Sequence, residues 1–400
     1  MPTQINDQNH SDRSPPPPQA ASESESTTTS ETTEQAQTEP IGRENQQQPT
    51  NQNMETTQQT ITTPKIAVIG CGNMGLNTLR LLSNEHKLRS DIQYIAIDAD
   101  NAVLTKFAEE TKITNIIPFS KSGFGFGMRY EEAKECFISE QKLEQVWSLI
   151  EDKHIVFILV GFGGGSGAGA TRAIVDFLKS KGIVVVLIPT LPSLEEGTRK
   201  RKNAIRCRDE VIASNDKLNW LSPIDSQKIY DKNIDKNPTI NELNALSSVI
   251  ANQCLNSILT ILTKVGDSNI DFNDVRTTLC GGRCLFLENS TPEQDKTLVQ
   301  AEKSAKSMLY AFEDSILDNF GYMLFNIQSS NEVGAKDRSE VLKNYKTKKG
   351  DQTVKFGFIQ TDNDYFELST ILGGLPDYED QIQVKIPVSI RDRVSRLINK

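Results

Sequence analysis

Gly161-Phe162-Gly163-Gly164-Gly165-Ser166-Gly167-Ala168-Gly169 holds six glycines in nine residues, between the apolar run HIVFILV (154–160) and the helical pattern ATRAIVDFLKS (170–180). Packing alone does not call for so much permissive backbone. Glycine lets several N–H donors converge on one point, and Ser166 adds a hydroxyl, a set suited to a di- or triphosphate. A plain surface turn is a poor account of a loop clamped between two strongly apolar elements.

Outward from this loop the same texture repeats. KIAVIG (65–70), DIQYIAID (91–98) and GIVVVLIP (182–189) read as strands, with NMGLNTLRLLSN (73–84) as a helix between the first two. Continuous apolar strands alternating with helices predict a parallel sheet covered on both faces. A second glycine loop, Gly70-Cys71-Gly72-Asn73-Met74-Gly75, follows the first strand and opens a helix, where backbone N–H groups and the positive helix end favour phosphate. It also matches the dinucleotide fingerprint, with Asp98 ending the second strand where a ribose-binding acid is expected, so an NAD(P)-dependent oxidoreductase stays open at this point. A third loop, Gly123-Phe124-Gly125-Phe126-Gly127, also ends where a helix begins. Three such loops at the carboxyl ends of parallel strands would surround one nucleotide. There is no GxxxxGK[ST], no HRD or DFG, and only three histidines, one of them His10, with no Cys/His ligand spacing. Backbone donors, not a P-loop lysine or a zinc site, would hold the phosphates.

Past Pro238, Leu243, Leu246, Ile250, Leu255, Ile258 and Leu262 predict a long helix over roughly 240–264, a spine between two domains. Beyond Cys280 the order is CLFLENS (strand), a long helix from about Pro292 to Phe312, YMLFNIQSS (strand), DRSEVLKNY (helix), TVKFGFIQT and YFELSTIL (strands), which reads as a smaller α+β domain. The domain expectation is a disordered acidic arm at 1–63, a nucleotide-binding domain at 64–238, a central helix at 239–265, an α+β domain at 266–376 and a short basic tail at 377–400.

Composition narrows the class. With 400 residues, 36% hydrophobic, and a mean hydropathy of -0.44, the chain has no uninterrupted apolar stretch fit to span a bilayer, and a soluble protein without membrane insertion is expected. A net charge of -9 argues against direct nucleic-acid binding, whose affinity comes from Lys and Arg on phosphates. Residues 1–63 carry nine acids and two arginines, so the remainder is nearly neutral. Six scattered cysteines fit a reducing cytoplasm better than a secreted scaffold. The arm is Gln, Thr, Ser, Asn, Glu and Pro with almost nothing apolar to offset the entropy of ordering. Deleting 1–63 is therefore expected to shift the melting temperature by less than about 2 °C and to leave nucleotide affinity unchanged. A drop of several degrees in a thermal melt would show that the arm docks on the core.

The loop GFGGGSGAGA (161–170) resembles the signature GGGTGTG of the FtsZ/tubulin superfamily of polymerising GTPases, and Asn269-Ile270-Asp271-Phe272-Asn273-Asp274-Val275 is similar to the FtsZ catalytic loop Asn-x-Asp-x-x-Asp. The two occur in the expected order, joined by the long helix, and the resemblance runs from about Lys65 to about Leu375. It implies a parallel-sheet GTP-binding domain joined by a central helix to a smaller α+β domain, with GTP or GDP and Mg²⁺ as ligands. By the same resemblance Gly72, Asn73 and Asn77 belong to the first phosphate loop, Gly125 and Gly127 to the third, and Gly163, Gly164, Gly165, Ser166, Gly167, Ala168 and Gly169 to the main cradle. Gly70 and Asp98 join them from the fingerprint. Glu196 matches a ribose-contacting glutamate, and Lys200 stands where FtsZ has arginine. In NELNALSSV, where FtsZ reads guanine with an aspartate, this chain has Ser247 or Ser248, and the likeness to tubulin's DLNHLVS makes Asn244 the base reader. Asp271 and Asp274, with Asn269, would act on the γ-phosphate bound by a neighbouring copy in a longitudinal homopolymer. The segment Ile386 to Arg393 resembles the FtsZ tail that docks on membrane adaptors, although a terminal helix packed on the core fits the same pattern. Division, cell shape and, for a divergent tubulin-like protein, DNA partition are the implied uses.

Overall fold

The computed structural model describes residues 63–85, 87–264, 270–279, 282–289, 291–313, 317, 320–345 and 352–376. The acidic arm up to residue 62, Asn269, and the tail with Ile386 to Arg393 lie outside the described residues. The strands are β1 (Ile66–Cys71), β2 (Ile92–Asp98), β3 (Asn115–Pro118), β4 (Ile155–Gly161), β5 (Val184–Leu191), β6 (Asn219–Leu221), β7 (Ile224–Asp225), β8 (Arg283–Glu288), β9 (Tyr322–Ser329), β10 (Thr353–Gln360) and β11 (Glu367–Leu375). They form one sheet in the order β10-β9-β11-β8-β6-β5-β4-β1-β2-β3, with β7 paired to β5. Its pairings are parallel except those of β11, which runs against both β8 and β9.

The continuous apolar runs have the reason expected of a sheet covered on both sides. Side chains alternate faces along a strand. Ile66 and Val68 accordingly join Phe157 and Leu159 in one apolar cluster, while Ala67 and Ile69 join Ile158 and Val160 in another. The helices Gly72–Asn84 and Ile240–Thr263 cover the first face, and Tyr130–Ser139 and Ser166–Leu178 the second. In register, Ile69 lies between Ile95 and Ile158.

The central helix starts where local chemistry starts it. Thr239 and Glu242 form a reciprocal capping box, the Thr239 amide donating to the Glu242 carboxylate at 2.7 Å and the Glu242 amide to Thr239 Oγ1 at 3.2 Å. Ile250, Ala251, Cys254, Leu255, Ile258 and Leu259 are buried along one side, each large one contributing about 1.5–3 kcal/mol. Among the described residues, Asn241–Thr263 is long and apolar enough to cross a membrane, contrary to the reading from composition, yet 67% of its apolar window is buried within the protein.

Two features depart from the sequence reading. The expected single helix from Pro292 to Phe312 is broken: a 3-10 turn Pro292–Gln294 is followed by a helix Leu298–Lys306 restarted by Thr297, whose side chain accepts from the Gln300 amide, and a second 3-10 stretch Ser307–Ala311. The sheet also continues past the central helix, because Trp220 and Leu221 of β6 pair with Arg283 and Cys284 of β8 and join the strands on either side of it in sequence. The outer strands are plain in character. β3 is four residues long and ends in Pro118, and Thr353, Val354 and Lys355 at the start of β10 are exposed.

Candidate functional site

A cleft of about 370 Å³ opens at the carboxyl ends of β1, β2, β4 and β5, within the roughly 300–1,000 Å³ of small-molecule sites. Of the residues expected in a nucleotide site, Gly72, Asn73, Asn77, Asp98, Gly125, Gly127, Gly164, Gly165, Ser166, Gly167, Glu196, Lys200 and Asn244 line it. All three glycine loops therefore meet there. Gly70, Gly163, Ala168 and Gly169 do not line it. Gly70 gives room for the helix that follows, since a Cβ would lie 2.6 Å from Leu79 Cδ1, and Gly169 lets the helix Ser166–Leu178 pack on Tyr130–Ser139, since a Cβ would lie 2.6 Å from the Tyr130 carbonyl.

The loops interlock through glycine. Gly72 has φ +72°, and a Cβ there would lie 2.8 Å from the Cα of Gly167; a Cβ on Gly165 would lie 2.7 Å from the Gly127 carbonyl oxygen. First, second and third loops thus touch backbone to backbone, at separations that side chains would forbid. Gly164, which lines the cleft, differs: a Cβ there meets nothing within 4 Å.

The helices that follow two of the glycine loops are left without a side-chain cap. Neither Gly72–Asn84, behind Cys71, nor Ser166–Leu178, behind Gly165, has a side-chain cap bond or an acid in its first turn. Other helix starts are mixed: Asp100 accepts from the amides of Ala102 and Val103, Asp225 from Gln227, and Thr239 from Glu242, while Tyr130–Ser139, Lys142–Ile150, Thr198–Ser214 and Ala335–Lys343 also have no side-chain cap bond. A helix N-terminus carries unsatisfied N–H groups and a positive dipole end, so two uncapped ones converging on one cleft make an anion site.

The walls explain the remaining residues. Asp98 is buried and accepts from the amides of Ala99 at 2.6 Å and Asp100 at 3.1 Å. Burial pushes its carboxyl above the ordinary range, while these amides and the Ser166 hydroxyl pull it back. Through Oδ1 it organises the loop after β2, and it lies in the lining of the cleft. Glu196 accepts from the Ser193 amide at 3.1 Å and from Lys200 Nζ at 2.6 Å. At the other end Asn244, Ser247, Ser248 and Ser226 form a polar wall, with Ser226 and Ser247 hydroxyls 2.9 Å apart. The exposed Asn244 amide can both donate to and accept from a purine edge.

Sequence reasoning missed Ser226 and the pair behind it. Arg201 forks onto both Asp225 oxygens at 2.7 and 2.8 Å and donates to the Pro192 carbonyl at 2.6 Å, fastening the loop after β5 to the start of the helix Ser226–Asn233. Asp225 raises the Arg201 pKa further. Its sequence signal was weak, an Asp-Ser step after a two-residue strand.

Asp271 and Asp274 stand elsewhere. Asp271 Oδ1 accepts from the Asp274 amide at 2.7 Å, beginning the helix Phe272–Leu279. The Phe272 ring lies 6.1 Å from that of His154, immediately before the amino end of β4, whose carboxyl end leads into Gly161. Seven residues of strand, about 3.3 Å each, separate the two ends. The central helix, 24 residues or about 36 Å long, likewise begins beside the cleft and ends at Thr263, which is bonded to Arg89 near the start of β2. The carboxylates and the cleft of one chain lie at opposite ends of the sheet.

Residues 65–232 match the model of the Tubulin/FtsZ family GTPase domain. The chain is 23% identical over 325 residues to the cell division protein FtsZ of Aquifex aeolicus, covering 80% of this chain and 86% of that protein. Its fold is similar to an FtsZ dimer structure from M. jannaschii, with a TM-score of 0.66 at 23% identity over 78% of this chain and 89% of that one. It is also similar to CetZ2 from Haloferax volcanii, solved as a GTPγS-bound protofilament, with a TM-score of 0.62 at 18% identity over 78% and 93% of the two chains.

Proposed function

We propose, since this chain belongs to the FtsZ/tubulin superfamily of GTPases, that it binds GTP in the cleft and hydrolyses it to GDP and phosphate only when a second copy docks head to tail. The observation that carries this reading is the separation of Asp271 and Asp274 from the cleft of their own chain, by the length of β4. A repeated docking of one end on the other joins the two parts at each interface and generates a filament, since a head-to-tail contact is not self-limiting.

The lining of the cleft supports the following roles. The amides of the uncapped helix ends and of Gly164 to Gly167 hold the phosphates, Asn244 with Ser247 and Ser248 faces the base, and Glu196 with Lys200 faces the sugar. Asp271 and Asp274 of the incoming copy orient the attacking water, which with charge stabilisation is most of what phosphoryl transfer asks of a protein. Ser166, Asp98 and Asp100 bring the hard oxygen donors that suit Mg²⁺ to the cleft. The ion would neutralise charge on the phosphate oxygens. Cell division or cell shape is the process that the FtsZ relatives favour. A cytoplasmic location agrees with the free thiols of Cys71, Cys136, Cys207, Cys254 and Cys284.

The first test is nucleotide carried through purification. Protein denatured after gel filtration is expected to release GDP or GTP, identified by chromatography. Release of NAD or NADP instead would return the loop Gly70 to Gly75 to the oxidoreductase reading.

A further inference from the structure

Asp274 has a companion. Lys355 Nζ, from β10, lies 2.8 Å from Asp274 Oδ1. The other oxygen, Asp274 Oδ2, is 3.4 Å from the Asp271 amide. Lys355 is exposed, and its bond to Asp274 raises its pKa, so it is a cation throughout the working range. The strand that carries it is fixed against this segment, for a Cβ on Gly357 would lie 2.6 Å from Ile270 Cδ1. The cleft has the opposite character. Among its described lining residues the cation is Lys200, already neutralised by Glu196 at 2.6 Å. A bound triphosphate would face backbone N–H groups and one spent lysine.

We infer that Lys355 is a second component of the site delivered in trans, leaving Asp274 to contact the γ-phosphate of the neighbouring copy's GTP when the two subunits dock. This rests on the head-to-tail reading above. Lysine is a compact charge on a flexible four-carbon stem. Wherever Asp274 reaches an attacking water, itself about 3–3.5 Å from phosphorus, the Lys355 ammonium arrives within one swing of its side chain. The transfer does two things. It frees Asp274 Oδ1 to accept from water, and it sets a cation against the γ-phosphate oxygens as the phosphoryl group moves. The water oxygen bonds to phosphorus while the bond from phosphorus to the β–γ bridging oxygen breaks. The bridging oxygen leaves with its electron pair on GDP, and the water proton passes by way of Asp274 to the released phosphate. In the free subunit the same ion pair keeps Asp274 occupied. A charge that meets the phosphate only on docking acts where it raises turnover, not where it merely tightens ground-state binding.

The test separates hydrolysis from assembly. Full-length wild type, Lys355→Met, Lys355→Arg and Asp274→Ala are compared with GTP and Mg²⁺, recording phosphate release and light scattering in the same cuvette. Lys355→Met is expected to assemble and to bind a fluorescent GTP analogue as the wild type does, while turnover per assembled subunit falls on the order of tenfold to a hundredfold, less than the 10³–10⁵ of an optimised arginine finger. Lys355→Arg is expected to recover most of the loss, because it keeps the charge. Wild-type turnover in Lys355→Met, with Asp274→Ala inactive, would overturn the role of Lys355 and leave the trans site standing. Wild-type turnover in Asp274→Ala would overturn the trans site itself. Failure of Lys355→Met to scatter light would make the residue an interface contact and also overturn the inference.

Discussion

Gly164→Val is expected to bind GTP at least about a hundredfold more weakly than the wild type, the equivalent of losing two charge-assisted hydrogen bonds at roughly 1.5 kcal/mol each. The melting temperature without nucleotide should not change. The reason is local: Gly164 lines the cleft, and a Cβ there meets no protein atom within 4 Å. A branched side chain is therefore expected to crowd the ligand without a clash in the protein. Gly165→Val, the substitution that the glycine count alone invites, is a poorer probe. Its Cβ would meet the Gly127 carbonyl and Phe126 Cβ, both at 2.7 Å, and push the third loop aside. Titration with a fluorescent GTP analogue alongside a thermal melt decides the matter. Unchanged affinity in Gly164→Val would sink the phosphate-cradle assignment.

The second large effect is on rate. Specific GTPase activity should be near zero at low protein concentration and should rise steeply once subunits associate, levelling off when every cleft has a neighbour. Below that threshold the γ-phosphate meets only donors that bind ground state and transition state alike, and these accelerate little. Asp274→Ala should bind GTP normally, assemble, and hold its filaments longer, because hydrolysis no longer loosens the interface. The ion pair with Lys355 is partly exposed and contributes little to the fold, so an unchanged thermal melt is expected beside the lost turnover. Phosphate release measured over a hundredfold range of concentration, with light scattering, is the check. A flat specific activity without scattering would end the filament reading.

The parts that were legible in the sequence share a physical cause. HIVFILVG and KIAVIG are buried on both faces, so their composition alone marks them as strands, and the glycine loops are conspicuous because so many glycines have no other use. The central helix was readable from its period after Pro238, while the capping pair Thr239 and Glu242 that starts it went unread. What escaped was short or nonlocal. β6 and β7 have three and two residues, too few for any periodicity, and with them went Ser226, Asp225 and the β6–β8 pairing that carries the sheet between halves. The break near Thr297 escaped because the polar run Glu293 to Thr297 was read as the first turns of the helix, whereas the capping threonine starts it only at Leu298. Lys355 could not be found at all: only the pairing of β10 beside β9 brings it to a carboxylate 81 positions earlier, at 2.8 Å.

The two outermost strands bear on how such a molecule can meet copies of itself. A free strand flank offers unpaired backbone groups to any passing chain, and proteins blunt that invitation with brevity, proline or lysine. Here one flank is the four-residue β3, stopped by Pro118, and the other opens with the exposed Lys355. Sideways fusion into a continuous cross-strand ribbon is thereby discouraged on both margins, while the cleft and the carboxylates occupy the ends. On the proposed head-to-tail reading, these blunted margins would leave the two ends as the surfaces where copies meet.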